Sequence, residues 1–154
     1  MLSNKTSNPL GDSMKALTTL ALLLTTSSAA MAATDLNFEV YNADEHSFNV
    51  TSTLVVGETE SLLIDTGFTR ADALRIAAKV LDAGKPLKTI FISQADPDYY
   101  FGASELLTIF PDAHVVTTAA VREAIAKKLE KKVSFWGPKM GLNAPKDPVL
   151  PEVV

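Results

Sequence analysis

The sequence predicts an α/β (α+β) fold, and three observations carry that prediction. Between Phe38 and Ile64, short apolar stretches alternate with turn residues, as in an antiparallel meander. From Thr69 onward, helical and strand periodicities alternate, the pattern of parallel strands joined by helical connections. Two acidic segments, Asp65-Thr66-Gly67 and Gln94 to Tyr99, each follow the carboxyl end of a predicted strand. Open α/β sheets place their ligands at such ends.

Length and composition bound the answer. A chain of 154 residues, 47% hydrophobic and 21% charged, suits one globular domain. The first 32 residues stand apart from it. Met14-Lys15 gives a positive start, Ala16 to Leu24 an apolar core, and Ala30-Met31-Ala32 a small-residue cleavage site. That is the anatomy of a secretory signal peptide over residues 1–32, with Met14 as its functional start. The apolar run is too short to span a bilayer. Removing it takes away two of the 14 basic and one of the 18 acidic residues, leaving a net charge of −5. Such a balance argues against nucleic acid as the main partner, because phosphate binding needs a basic face. There is no cysteine, so no disulfide, thiolate ligand or lipid-modified cysteine is available. Export without cysteine fits a soluble periplasmic or secreted bacterial protein. It has no membrane association once the leader is gone, and its partner is a small-molecule substrate or ligand.

The elements follow in order. Phe38 and Val40, then Phe48 and Val50, alternate with polar residues as half-buried strands do. Thr53 to Val56 meets the turn Gly57-Glu58-Thr59-Glu60, and Ser61 to Ile64 returns as a more apolar strand. A helix runs from about Thr69 to Ala83, started by Thr69 and Asp72 and stopped by Gly84, with Leu74, Ala77, Ala78 and Leu81 as its apolar face. Strand Leu87 to Ile92 leads into the acidic loop. A short helix with Leu106, Leu107 and Phe110 ends at Pro111, and Ala113 to Thr117 forms another strand. The next helix, about Ala119 to Lys132, turns Val121, Ile125 and Leu129 inward. Its lysines, Lys127, Lys128, Lys131 and Lys132, suit the negative end of the helix dipole and read as a solvated face. From Phe135 the pattern dissolves into loop chemistry at Trp136-Gly137-Pro138 and Asn143 to Pro148. Val149 to Val154 looks like the approach to a further strand, so the chain reads as cut short.

The run Ser61-Leu62-Leu63-Ile64-Asp65-Thr66-Gly67, a helix, Ile90-Phe91-Ile92-Ser93 and a loop ending at Gly102 resembles the metallo-β-lactamase-fold superfamily. That family follows its Asp-Thr-Gly strand with a helix, a second strand and the loop Ser/Thr-His-x-His-x-Asp-His-x-x-Gly. The resemblance implies an αββα sandwich of which residues 33–134 supply the N-terminal half, with a truncated loop-rich tail over 135–154. It also implies metal positions at Gln94, Asp96, Asp98 and Tyr99, with Asp98, the retained family aspartate, as the catalytic candidate. Asp65, Gly67 and Gly102 support the site. In the family, the metal pair lowers the pKa of bound water toward about 7 and clamps the oxygens of the bond being hydrolysed.

The residues now at those positions change the chemistry. Gln94 offers a neutral carbonyl oxygen, Asp96 and Asp98 are hard anionic donors, and Tyr99 ligates well only as phenolate, whose ordinary pKa is about 10. One or two divalent metals, zinc by family, are implied, but oxygen donors favour Mn, Mg, Ca or ferric iron over zinc. Two carboxylates fall short of the about six oxygens that Ca or Mg needs, so weak or no metal binding is expected of the isolated chain. His46 and His114 do not fill the gap. Turn-forming is favoured somewhat over metal binding for Asp96 and weighs about equally with it for Asp98, since each Asp can bond backbone N–H groups two residues on. Asp65 reads as structural, tying its turn to the neighbouring loop. Tyr99, Tyr100, Phe101 and Trp136 either wall a substrate cleft or pack beneath the helix. Three classes of function are open: a divergent exported metallo-hydrolase-like protein, inactive as the isolated chain; a non-catalytic periplasmic small-ligand-binding protein, for which a homodimer is allowed; and a truncated gene product with no independent activity.

Overall fold

A computed structural model describes residues 35–154; the signal-peptide reading of residues 1–32 lies outside them. Strands β1 (Asn37–Asn42), β2 (Thr51–Val56) and β3 (Ser61–Ile64) form the meander, and helix α1 (Arg70–Ala83) connects to β4 (Leu87–Ile92). Helices α2 (Pro97–Tyr100) and α3 (Ala103–Ile109) lead to β5 (His114–Thr117), and α4 (Ala119–Met140) leads to β6 (Glu152–Val153). The six strands lie side by side in sequence order. β1, β2 and β3 pair antiparallel, while β3 to β6 pair parallel. The approach to a strand read at Val149–Val154 is β6, aligned with Val116 and Thr117.

Register decides which face is buried. Leu54, Leu63, Ile90 and Val115 align across β2 to β5 and join the core with Ala73, Ile76, Ala77 and Val80 of α1, Leu106 of α3 and Ile125 of α4. A row one residue out of phase, Val40, Thr53, Ile64, Phe91 and Val116, faces the opposite side and is absent from that core. The helices therefore cover one face of the sheet, as the period-2 alternation of strand side chains requires. No helix among the described residues is long and apolar enough to cross a membrane.

Three sequence expectations are corrected. Phe48 is not in a strand. It closes a 3-10 turn over Glu45–Ser47 with φ 58°, and Asn49 follows with φ 53°. The Asp44 side chain accepts from the His46 backbone N–H, so local Asx chemistry wins over alternation.

The inward face of α1 is Ala73, Ile76, Ala77 and Val80, while Leu74 and Leu81 are 47% and 62% exposed. Only Ala77 of the expected face is buried. The i, i+3, i+4 template fits two overlapping stripes here, and buried Asp72 draws its own side of the helix inward.

Helix α4 continues to Met140 through Gly137 and Pro138 instead of dissolving at Phe135. Proline forfeits one backbone bond, but Trp136 packs edge-on to Phe48 and Phe68 at ring separations of 5.7 and 5.2 Å. Tertiary packing overrides the breaker residues.

Candidate functional site

The site begins where β3 and β4 end. Asp65 adopts φ 62° and Gly67 φ 78°, so the chain turns sharply out of β3. The Asp65 carboxylate accepts from the Ser93 backbone N–H at 2.8 Å and from the Ser93 hydroxyl at 2.6 Å. The Thr66 N–H and hydroxyl both donate to the Tyr99 carbonyl, at 2.8 and 3.0 Å, and the Gly102 N–H donates to the Gly67 carbonyl at 3.1 Å. Asp65, Gly67 and Gly102 thus bring the two acidic segments together, and the acidic loop is stitched to the turn at both of its ends.

Burial pushes the Asp65 carboxyl upward, the two Ser93 donors oppose that shift, and the nearby Asp98 charge adds to it. An acid raised on folding costs stability while ionised, and that cost fades as pH falls through its folded pKa. Ser93→Ala removes one donor from this buried carboxylate. It is expected to cost about 1–2 kcal/mol at neutral pH, with a smaller penalty in acid. Urea denaturation at the two pH values checks it, and an equal penalty at both would refute this account.

Gln94, Asp96, Asp98 and Tyr99 line one cavity of about 290 Å³. Phe48, Phe68 and Trp136 wall its other side, and Lys132 reaches in from α4. Asp96 takes the N-cap position of α2 without a side-chain capping bond, and its Oδ1 lies 3.2 Å from Lys132 Nζ. Asp98 has no side-chain hydrogen-bond partner among the described residues, only its own backbone N–H. Burial and the Asp96 charge raise its carboxyl, while Lys132 acts in the opposite sense. Tyr99 is pushed upward by burial and by the charges of Asp98, Asp65 and Asp96, against a hydrogen bond with Gln94. The phenolate needed for ligation is thereby disfavoured.

Tyr100 and Phe101 are each 1% exposed and belong to the core, so of the three adjacent aromatics only Tyr99 reaches the cavity. Burial, and secondarily Asp96, moves the Tyr100 phenol up to about 12. Phe48, Phe68 and Lys132 complete the site without having been singled out in the sequence. Phe68 had one signal, its place immediately after Asp65-Thr66-Gly67. Phe48 and Lys132 had none, because partners 36 or more residues apart meet only through the fold.

The donor set does not fit a dinuclear zinc centre. No group of three or more His, Cys, Asp or Glu side chains able to hold a metal converges among the described residues. His46 sits in the exposed 3-10 turn and His114 opens β5 on the face away from the core. Neither lines the cavity beside the acidic loop.

Comparison with known proteins bears on the fold. A mutant HARLDQ-motif metallo-beta-lactamase from Cronobacter sakazakii (Enterobacter sakazakii) is similar at a TM-score of 0.50 and 23% identity, over 68% of this chain and 40% of its own. MEM-A1, a subclass B3 metallo-beta-lactamase isolated from a soil metagenome library, is similar at 0.50 and 24% identity, over 68% and 39%. The chain thus spans about two fifths of the length of these solved structures. No curated protein matches it. The model of the Metallo-beta-lactamase superfamily matches residues 47–153, from the turn before β2 through β6, and to that superfamily the chain belongs.

Proposed function

We propose that the protein is an exported, metallo-hydrolase-like member of this superfamily whose altered loop no longer supports dinuclear zinc hydrolysis in this chain. Its cleft instead binds a small organic ligand. The observation that carries this reading is the cavity itself. Oxygen donors stand where imidazoles would be needed, with a lysine from α4 and a wall of three aromatic rings beside them. Aromatic rings suit an apolar or ring-bearing ligand, and Asp98 offers an unengaged carboxylate to a hydrogen-bond donor or cation on it. Fold membership alone would not choose between hydrolysis and binding, because function resides in the site.

Elemental analysis of protein purified from the periplasm tests the metal half of the proposal. Zinc is expected well below stoichiometric, and β-lactam hydrolysis at background. Stoichiometric zinc would overturn it. A thermal-shift screen tests the binding half: Tm is expected to rise with ring-bearing organic ligands and not with zinc.

A further inference from the structure

We propose that Lys132 is a tethered cation, taking the charge-balancing place of a metal ion at the acidic loop by bringing its ammonium from α4 to Asp96. This rests on the reading just given. The four loop positions carry two carboxylates two residues apart, with Asp65 behind them, and among the described residues Lys132 is the one basic group lining their cavity. Its Nζ is 3.2 Å from Asp96 Oδ1, across 36 residues of chain. Its charge also reaches Asp98, where it counters the upward pull of burial and of Asp96.

The lysine differs from its neighbours on the same helix. Lys127, Lys128 and Lys131 are exposed, and Lys127 pairs with Glu123 one turn away. The Lys132 side chain is 31% exposed and turns toward the cavity. The expectation that all four lysines form a solvated face is therefore corrected for this one. Trp136, one helical turn later, packs against Phe48 and Phe68 and holds that stretch of α4 over the loop.

A half-exposed ion pair of this kind adds little stability. Its effect is on charge and space. The ammonium meets the negative potential of the loop, repels a divalent ion, and has no open coordination position at which to activate water. Removing the charge while keeping the apolar stem should expose an oxygen-donor set of Asp96, Asp98 and the Gln94 carbonyl, chemistry suited to Mn²⁺.

Full-chain wild type, Lys132→Met and Lys132→Arg are compared by titration with MnCl₂, following free Mn²⁺ by electron paramagnetic resonance and Tm by circular dichroism. Wild type and Lys132→Arg are expected to leave the free-ion signal unchanged. Lys132→Met should bind at least about tenfold more tightly than wild type, with Tm rising about 5 °C once the ion exceeds its Kd about tenfold. Adding Asp96→Ala to Lys132→Met should abolish the gain. If Lys132→Met, folded by its Tm without ion, binds no better than wild type, the tethered-cation role is wrong and the proposed function stands. Gained binding that survives Asp96→Ala also overturns the role, since the ion then sits elsewhere. Stoichiometric binding by wild type would overturn both readings.

Discussion

Gly102→Ala is expected to destabilise the protein by about 3 kcal/mol or more, a large share of the whole stability of a domain of this size. The cause is space, because Gly102 has an ordinary right-handed backbone (φ −69°, ψ −12°) that alanine could adopt. A Cβ at this position would overlap the carbonyl oxygen of Thr66 and lie 3.1 Å from the Ala73 Cβ. The obstructing atom is backbone, in a turn already committed to hydrogen bonds with Tyr99 and Ser93. Relief would require moving the acidic loop, α3 and α1 apart. Gly84→Ala provides the contrast, with φ 65° but nothing within 4 Å of its Cβ, so its expected cost is about 1 kcal/mol of backbone strain. Thermal melts of the two variants check the pair, and similar midpoints would refute the steric account.

Asp72→Ala is expected to cost about 3 kcal/mol through a different mechanism. The side chain of Asp72 accepts from the Tyr41 hydroxyl at 2.7 Å, the Ser47 hydroxyl at 2.6 Å, and the Thr69 N–H and hydroxyl at 3.0 and 2.7 Å. One buried carboxylate thus joins β1, the turn before β2 and the start of α1. Its removal strands donors in the interior as well as losing the cap. Burial alone would raise this carboxyl, but the donors from Ser47, Thr69 and Tyr41 outweigh it and hold the pKa below its ordinary 3.8. A depressed carboxyl contributes stability above its unfolded pKa and loses it as pH falls through the folded value. Wild type should therefore lose this contribution below about pH 3.8, and Asp72→Asn should flatten that acid limb. Denaturation midpoints across the acid range decide it. An unchanged acid limb in Asp72→Asn would show that other groups set it.

Much of the frame was legible because its signals are local. The turn Gly57 to Glu60 sits between β2 and β3, and Thr69 with Asp72 forms the capping box of α1, closed by Gly84. Ser61 to Ile64 and Leu87 to Ile92 carry the run lengths and apolar content of buried strands, and both are strands. What was misread depends on contacts distant in sequence. Asp72 announces a helix cap, but nothing nearby announces that Tyr41 and Ser47 will reach it. The Gly137-Pro138 pair is a breaker locally, and the rings that pack on Trp136 beside it, Phe48 and Phe68, come from distant parts of the chain. The site divides the same way. Spacing placed the loop from Gln94 to Tyr99, whereas Lys132 and Phe48 arrive from other elements.

The bonds that stitch the acidic loop to the turn after β3 use the Asp65 carboxylate, Ser93, the Thr66 hydroxyl and backbone groups. None uses the side chain of Gln94, Asp96, Asp98 or Tyr99. The bonds that fix the loop against this turn therefore do not depend on those four side chains. Substitutions at those four positions can replace one chemistry with another without first passing through an unfolded protein, whereas a single methyl group at Gly102 cannot be accommodated. The scaffold thus leaves these four cavity-lining positions cheap to change, so the side chains that face the cavity can vary while the fold that presents them is kept.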